Sequence, residues 1–369
     1  MTRCLTCGTV YPDDSRFCTR DGTRLAPTAP GAAVSTPVPG GGTPAEPAKR
    51  NTVPPRRPDT PSGTPPVQID LAGQVLEGRY KIVKKVGEGG MSFVYLATDV
   101  ATNQRYAIKV LSAALSQDDT AMARLKREAS LGMRLEHPNI CHIIRLGETE
   151  DGLVYVVMPF VEGEILSDRN QKLGHLPLDV TVRLVRDISE GLHFAHQLRI
   201  VHRDLKPENI MVTRMADGGD RAVVMDFGLA KERRIGAEIQ KLTSTGTILG
   251  TPEFMSPEQL RGKPLDPRTD VYSLALMTYE MLTGKLPFVG RTQQETMIAR
   301  LRSEPIPLRQ MKPELNFPEA VEKVIAKALS RDPDGRQPSA LEFATGLEMA
   351  TKPGGAPADG GLLGRLFGR

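Results

Sequence analysis

The sequence predicts an α+β fold, and three observations carry that prediction. Tyr80 to Val86, Ala107 to Lys109 and Leu153 to Val157 read as strands placed around a glycine-rich turn. Asp118 to Leu135 and Asp270 to Leu282 read as helices, the first amphipathic and the second apolar. Between the helices lies one polar loop, Val201 to Met211, in which charged and amide side chains are concentrated.

A chain of 369 residues holds two or more domains, and its 39% hydrophobic and 25% charged residues are those of a soluble globular protein. A net charge of +4 is small for this length, and aromatics do not interleave with basic residues, so nucleic acid is not expected as a partner. The longest apolar run, Leu153 to Val161, is strand-sized and far from the roughly eighteen residues of a membrane span. Three of the four cysteines cluster near the N-terminus and Cys141 stands alone, which fits a reducing compartment; a cytoplasmic protein is expected.

Residues 1–25 read as a small metal ribbon. Cys4 and Cys7 form one knuckle, and Cys18 begins the second, with Asp21 where a fourth Cys would stand. Three thiolates and a carboxylate can close a tetrahedron around zinc, and a segment this short needs a metal to stay folded. C-x-x-C also serves redox chemistry, so a metal-free role stays open. The ribbon's expected task is contact with a protein partner. Residues 26–70 are dense in Pro, Gly, Ala and Thr and cannot repay their ordering entropy, so a disordered linker is expected.

The domain proper is expected over residues 71–350, followed by a flexible tail, 351–369. In its first part Gly87-Glu88-Gly89-Gly90-Met91-Ser92 links two strand-like runs, and glycines let backbone amides close over phosphates. The helix from Asp118 opens with an acidic pair suited to its positive end. Leu125, Ala129 and Gly132 share its buried face, and Glu128 borders that face, able to pair with Lys109 or to remain solvated.

The polar loop carries the most specific signal. His202-Arg203-Asp204-Leu205-Lys206-Pro207-Glu208-Asn209 puts an Asp, a Lys two residues on and an Asn five residues on within reach of one small volume. That loop can supply a proton acceptor, a positive charge for phosphate and a metal ligand. The stretch matches the pattern H-R-D-L-x-x-x-N without a gap. With Gly87-x-Gly89, Ala107-Ile108-Lys109, Asp226-Phe227-Gly228 and Ser256-Pro257-Glu258 in the same order, residues from about Tyr80 to Met349 resemble a protein kinase. The bacterial serine/threonine kinases of eukaryotic type are the nearest likeness, since Gly-Gly-Met-Ser and Ser-Pro-Glu-Gln are similar to their variants.

The resemblance implies a bilobal fold, with a β-rich N-lobe of about 78–161 and a helical C-lobe of about 162–350. It implies transfer of the ATP γ-phosphoryl group to protein Ser and Thr hydroxyls, with Asp204, Lys206, Lys109 and Glu128 as the catalytic set. ATP would lie against Val86, Gly87, Glu88, Gly89, Gly90, Met91, Ser92, Val94, Ala107, Lys109, Met158, Pro159, Val161 and Met211. Magnesium, or manganese in its place, would be held by Asn209 and Asp226. Ser92 replaces the family's third glycine, and Pro159 replaces an acidic residue but keeps the carbonyl that would accept the adenine amine.

Lys231 to Leu249 resembles an activation loop, with Thr243 and Thr245 as expected phosphorylation sites and Arg203 as the phosphate's partner. Thr251 would contact Asp204 and Lys206 where the substrate hydroxyl is received. Glu258 is expected to pair with Arg336, and Asp270 to brace the catalytic loop. His142, His193 and His196 lack metal-ligand spacing and read as core or surface residues. A transient dimer would serve phosphorylation of one copy by another. The alternative from another class is a pseudokinase or scaffold acting through the ribbon; the presence of Lys109, Glu128, Asp204, Asn209 and Asp226 argues against it.

Overall fold

A computed structural model describes residues 2–3, 10–11, 71–89, 92–111, 119–149, 152–227 and 252–352. The chain divides into two compact units, Met1–Val67 and Gln68–Arg369. In the first unit β1 (Thr2–Arg3) pairs antiparallel with β2 (Val10–Tyr11). The expected zinc ligands Cys4, Cys7, Cys18 and Asp21 lie outside the described residues, as do the linker and the tail.

The second unit opens with an antiparallel sheet of six strands in the order β3-β4-β5-β6-β8-β7. These are β3 (Val75–Leu76), β4 (Tyr80–Gly89), β5 (Ser92–Asp99), β6 (Arg105–Leu111), β7 (Arg145–Glu148) and β8 (Val154–Pro159). Alternation along the strands sorts the side chains onto two faces. Tyr106, Ile108 and Val110 of β6, with Tyr155 and Val157 of β8, join Tyr80, Ile82 and Tyr95 in one core. Ala107, Val156 and Met158 face the other way and join Ala129, Cys141 and Ile143 in a second. Lys109 lies between Ile108 and Val110, so it shares a face with Ala107.

On that second face lies α1 (Asp119–Gly132), which buries Leu125 and Ala129. It stops three residues before the expected Leu135. There the backbone tightens into three-residue turns, Arg134 N–H to Leu131 O at 3.0 Å and Leu135 N–H to Gly132 O at 3.3 Å.

The remainder is mainly helical. α2 (Leu166–Leu173) and the 20-residue α3 (Leu178–Gln197) precede the catalytic loop. β9 (Glu164–Ile165), β10 (Ile210–Arg214) and β11 (Asp220–Val224) form a small antiparallel sheet beside it. Gly163 lets the chain cross β10, since a Cβ there would lie 2.2 Å from Val212 O. A short helix α4 (Pro257–Leu260) and α5 (Pro267–Thr283) come next. α5 starts on an Asp266 cap with Pro267 in its first turn, and almost every one of its residues is buried, as a central helix requires. α6 (Gln293–Arg302), α7 (Leu308–Met311), α8 (Glu319–Ala328) and α9 (Ala340–Ala350) complete this part. Among the described residues no helix is long and apolar enough to cross a membrane.

Candidate functional site

The loop after α3 is built around Asp270 of α5. This carboxylate is fully buried and takes three donors: His202 N–H at 2.8 Å, Arg203 N–H at 3.0 Å and His196 Nε2–H at 2.7 Å. Burial works to raise its pKa, but the His196 bond, the two histidine rings and the His202 amide outweigh it, and the carboxyl is held below the ordinary carboxylate range. Arg203 has a left-handed φ of 66°. Its peptide is gripped at both ends, by Asp270 on the amide and by Gln259 Nε2–H, 2.7 Å from the carbonyl. Such a backbone persists only where its surroundings over-determine it.

His202 extends the brace. Its Nε2 donates to Met225 O at 2.9 Å, which leaves Nδ1 to accept from Asp204 N–H at 3.3 Å. Its ring meets Phe227 edge-on at 4.7 Å. Pro207–Asn209 then form a 3-10 turn, and Asn209 O accepts from Met225 N–H at 2.8 Å. The catalytic loop and the Asp226-Phe227 segment are thus tied together by backbone and imidazole bonds before any charged side chain is considered.

Upon that frame the charged groups converge. Asn209 Nδ2 donates to Asp204 O at 2.7 Å and to Asp204 Oδ2 at 2.9 Å, and Lys206 Nζ stands 3.7 Å from the same Oδ2. Lys109 Nζ bonds Asp226 Oδ1 at 2.8 Å. Lys109 is therefore paired with an acid 117 residues away; the side chain of Glu128, its expected partner, lies outside the described residues. Asp226 adopts a φ of 54°.

Beside these groups is an apolar surface. Val94, Ala107, Met158, Val161 and Met211, expected around adenine, belong to one cluster with Cys141, Val223 and Met225. Pro159 ends β8 opposite Tyr106, and its carbonyl accepts from Cys141 Sγ at 3.6 Å. Burial, helped by the Asp226 charge and opposed by Lys109, pushes the Cys141 thiol up to about 12, so it is a neutral group here.

The glycine-rich strands pair as Gly87 with Val94, Glu88 with Phe93 and Gly89 with Ser92, after a register shift between Lys85 and Gly87. Val86, at that shift, is 45% exposed. Glu88 forms an ion pair with Lys85. Gly90 and Met91 at the tip lie outside the described residues, as do Thr243, Thr245 and Thr251.

The expected Glu258–Arg336 pair is present and bidentate, at 2.7 and 2.8 Å, with both side chains buried. Sequence reasoning missed His196, Gln259 and Cys141. For His196 a signal existed: it comes after buried Ile188 and Leu192 at four-residue spacing, so it lies on the inner face of α3. Gln259 and Cys141 act through partners distant in sequence and gave none.

The donor chemistry suits magnesium and nucleotide. Asn209 commits its amide nitrogen to Asp204, leaving its oxygen for a cation, and Asp226 offers a partly exposed carboxylate. Magnesium is ordinarily held by such hard oxygens, completed by phosphates and water rather than by an all-protein cage. No group of three or more His, Cys, Asp or Glu that could hold a metal occurs among the described residues.

Comparison with known proteins gives the same direction. Residues 80–344 match the family model described as the protein kinase domain. The chain is 35% identical over 283 residues to the serine/threonine-protein kinase pkn3 of Myxococcus xanthus, covering 77% of this chain and 52% of that protein. It is 37% identical over 275 residues to the serine/threonine-protein kinase PknB of Mycobacterium leprae, covering 74% of this chain and 43% of that protein. The chain thus spans about half the length of these curated relatives. The kinase domain of PknI from Mycobacterium tuberculosis is similar in structure, with a TM-score of 0.59 at 28% identity, covering 76% of this chain and all of that one.

Proposed function

Because the chain belongs to the protein kinase domain family, we propose that it transfers the γ-phosphoryl group of ATP to Ser and Thr hydroxyls of proteins, its own polypeptide included. The observation that carries this reading is the convergence of Asp204, Lys206 and Asn209 on one loop, tied by His202 and Asn209 to the segment where Asp226 meets Lys109.

In this reading Asp204 Oδ2 orients the acceptor hydroxyl and takes its proton as the oxygen attacks phosphorus. Lys206 balances charge on the transferred group, and Lys109 holds the α- and β-phosphates. Asn209 and Asp226 hold magnesium, whose chemistry is to neutralise phosphate charge. The apolar cluster around Ala107, Met158 and Met211 receives adenine, and the Pro159 carbonyl accepts its amine. Little covalent help is needed from the protein, so positioning and electrostatics supply the rate.

The finer parts of the proposal rest on sequence. Zinc is held by Cys4, Cys7, Cys18 and Asp21, Thr243 and Thr245 are phosphorylated to order their loop, and Thr251 receives the acceptor hydroxyl. The ribbon meets a protein partner, and the chain works in the cytoplasm. Metal analysis of the intact chain checks the ribbon: well below one zinc per chain refutes it.

The test of the main reading is transfer of label from ATP with magnesium to a generic protein substrate, followed by phosphoamino-acid analysis. Phosphoserine and phosphothreonine are expected; ATP binding with no transfer to any hydroxyl favours the scaffold reading.

A further inference from the structure

An apolar pocket of about 150 Å³ opens on the helical part and shares no residue with the site described above. It follows from how residues 305–308 are held. Ile306 N–H donates to Pro287 O at 3.0 Å. Just past Leu308, the backbone N–H and the guanidinium of Arg309 bond Glu322 of α8 at 3.0 and 3.1 Å. Pro305 and Pro307 have no N–H to offer, so the stretch is pinned at its ends and stands off α8 between them. Tyr279 of α5, Leu308, Ile325 and Leu329 form the floor, each at most 2% exposed. Ala326, small and exposed, stands at the mouth.

The pocket carries one polar group of note. The Tyr279 hydroxyl is buried and has no hydrogen-bond partner among the described residues. Burial, with the Glu322 charge adding to it, holds the phenol above its ordinary pKa, so it stays a donor. A buried donor without an acceptor is costly, and on a pocket wall an occupant can satisfy it. An apolar cavity of about 150 Å³ holds one benzene ring, and the negative face of an aromatic ring attracts such a donor.

The chain itself carries a segment of matching chemistry beyond α9. Residues 353–361 read Pro-Gly-Gly-Ala-Pro-Ala-Asp-Gly-Gly, and Leu362, Leu363, Leu366 and Phe367 follow, with Phe367 the one ring. All of these lie outside the described residues. α9 packs directly on α8, where a Cβ on Gly346 would lie 3.6 Å from Val324 Cγ1. Ala326 stands two positions from Val324, about 200° around the helix, so α9 and the pocket flank α8 on opposite sides. Half the circumference of a helix about 11 Å across is roughly 17 Å. Fifteen residues separate Lys352 from Phe367, and a Gly-rich chain of that length spans roughly 20 Å r.m.s.. A tether acts most strongly when its span matches the distance to be covered.

We propose that the Phe367 side chain docks in this pocket of the same chain, passing residues 353–366 around α8. The proposal does not depend on phosphotransfer. Its test is quench-flow hydrogen exchange on the full chain, read by mass spectrometry. Amides of residues 362–369 should exchange at least about fivefold slower than in a free peptide of that sequence, since a tethered segment sees an effective concentration in the millimolar range. Phe367→Ser should return them to within about twofold of the free rate. Ala326→Arg, which puts a long side chain across the mouth from an exposed helical position, should do the same and leave Tm unchanged. Free exchange in the parent, or protection that survives Ala326→Arg, overturns the docking. Protection lost on about tenfold dilution assigns the pocket to the tail of a second copy and overturns docking within one chain. Protection seen only with vesicles of anionic lipid assigns the apolar and basic residues of 362–369 to a membrane surface, and overturns it as well.

Discussion

Asp270→Asn separates the frame of the site from its chemistry. In the parent Oδ2 accepts from His202 N–H and His196, and Oδ1 accepts from Arg203 N–H. The amide keeps one oxygen, so its NH2 group must face a backbone or imidazole donor. A hydrogen bond to a charged acceptor contributes about 1.5–3 kcal/mol, and one is lost outright. Arg203, at a φ of 66°, then has only Gln259 to hold a conformation that costs on the order of 1–3 kcal/mol. Part of that strain is released as the loop relaxes, so the expected loss of stability is about 2–4 kcal/mol.

Relaxation moves Asp204, the next residue, so kcat should fall at least about tenfold, as misplacement of a positioned group does. KM for ATP should change little, because Lys109 and the apolar cluster are held by other elements. Urea unfolding followed by far-UV circular dichroism and tyrosine fluorescence measures the first quantity; the chain has no tryptophan. The sign with pH is fixed as well. The Asp270 pKa is lowered on folding, so its stabilisation is present above the unfolded pKa and is lost as pH falls through the folded one. Stability within about 0.5 kcal/mol of the parent together with full kcat would refute the brace, since that is the range of inert surface changes.

Three further outcomes rest on the same geometry. Arg336→Ala strands Glu258, whose burial opposes its charge and whose low pKa depends on Arg336, and should cost about 3–5 kcal/mol in urea unfolding; a loss under about 1 kcal/mol contradicts this. Burial first, then the charges of Glu208 and Glu253, raise the Glu280 carboxyl from 4.5 to about 7 on folding, so the folded chain binds the extra proton and stability falls as pH rises through that window, by up to about 3 kcal/mol. Glu280→Gln should remove that slope and give a higher Tm than the parent at pH 8 but not at pH 4, and parallel curves would disprove it. Lys109→Met leaves Asp226, 40% exposed, able to solvate, so stability should change by less than about 1 kcal/mol. Phosphotransfer by that variant should fall by at least about a hundredfold, as loss of an electrostatic stabiliser does; retained activity would show that Lys109 does not hold phosphate.

Local periodicity and fixed spacing account for the part of the molecule that was legible in the sequence. The strands from Tyr80 and Leu153, the buried face of α1 and the apolar α5 all appear close to where their patterns placed them. The loop from His202 to Asn209 was legible because its groups act on one another within eight residues. Resemblance supplied two long-range features that no spacing could give, the Glu258–Arg336 pair and Asp270 under the loop. The rest depends on pairs that only the folded chain brings together: His196 with Asp270 across 74 residues, Asn170 with Glu280 across 110, and Cys141 with Pro159. Lys109 shows the same limit: its described bond reaches Asp226 across 117 residues, while the side chain of Glu128, its expected partner, lies outside the described residues.

The most direct measurement is self-labelling from γ-labelled ATP with magnesium, comparing the intact chain with Asp204→Asn. Asn keeps the shape of the side chain that meets Asn209 and Lys206 but is a far weaker proton acceptor. The account predicts label on Thr or Ser in the parent and a loss of at least about a hundredfold in the variant, with ATP binding retained. Equal labelling of both proteins would contradict it, because Asp204 would then not be the group that takes the hydroxyl proton.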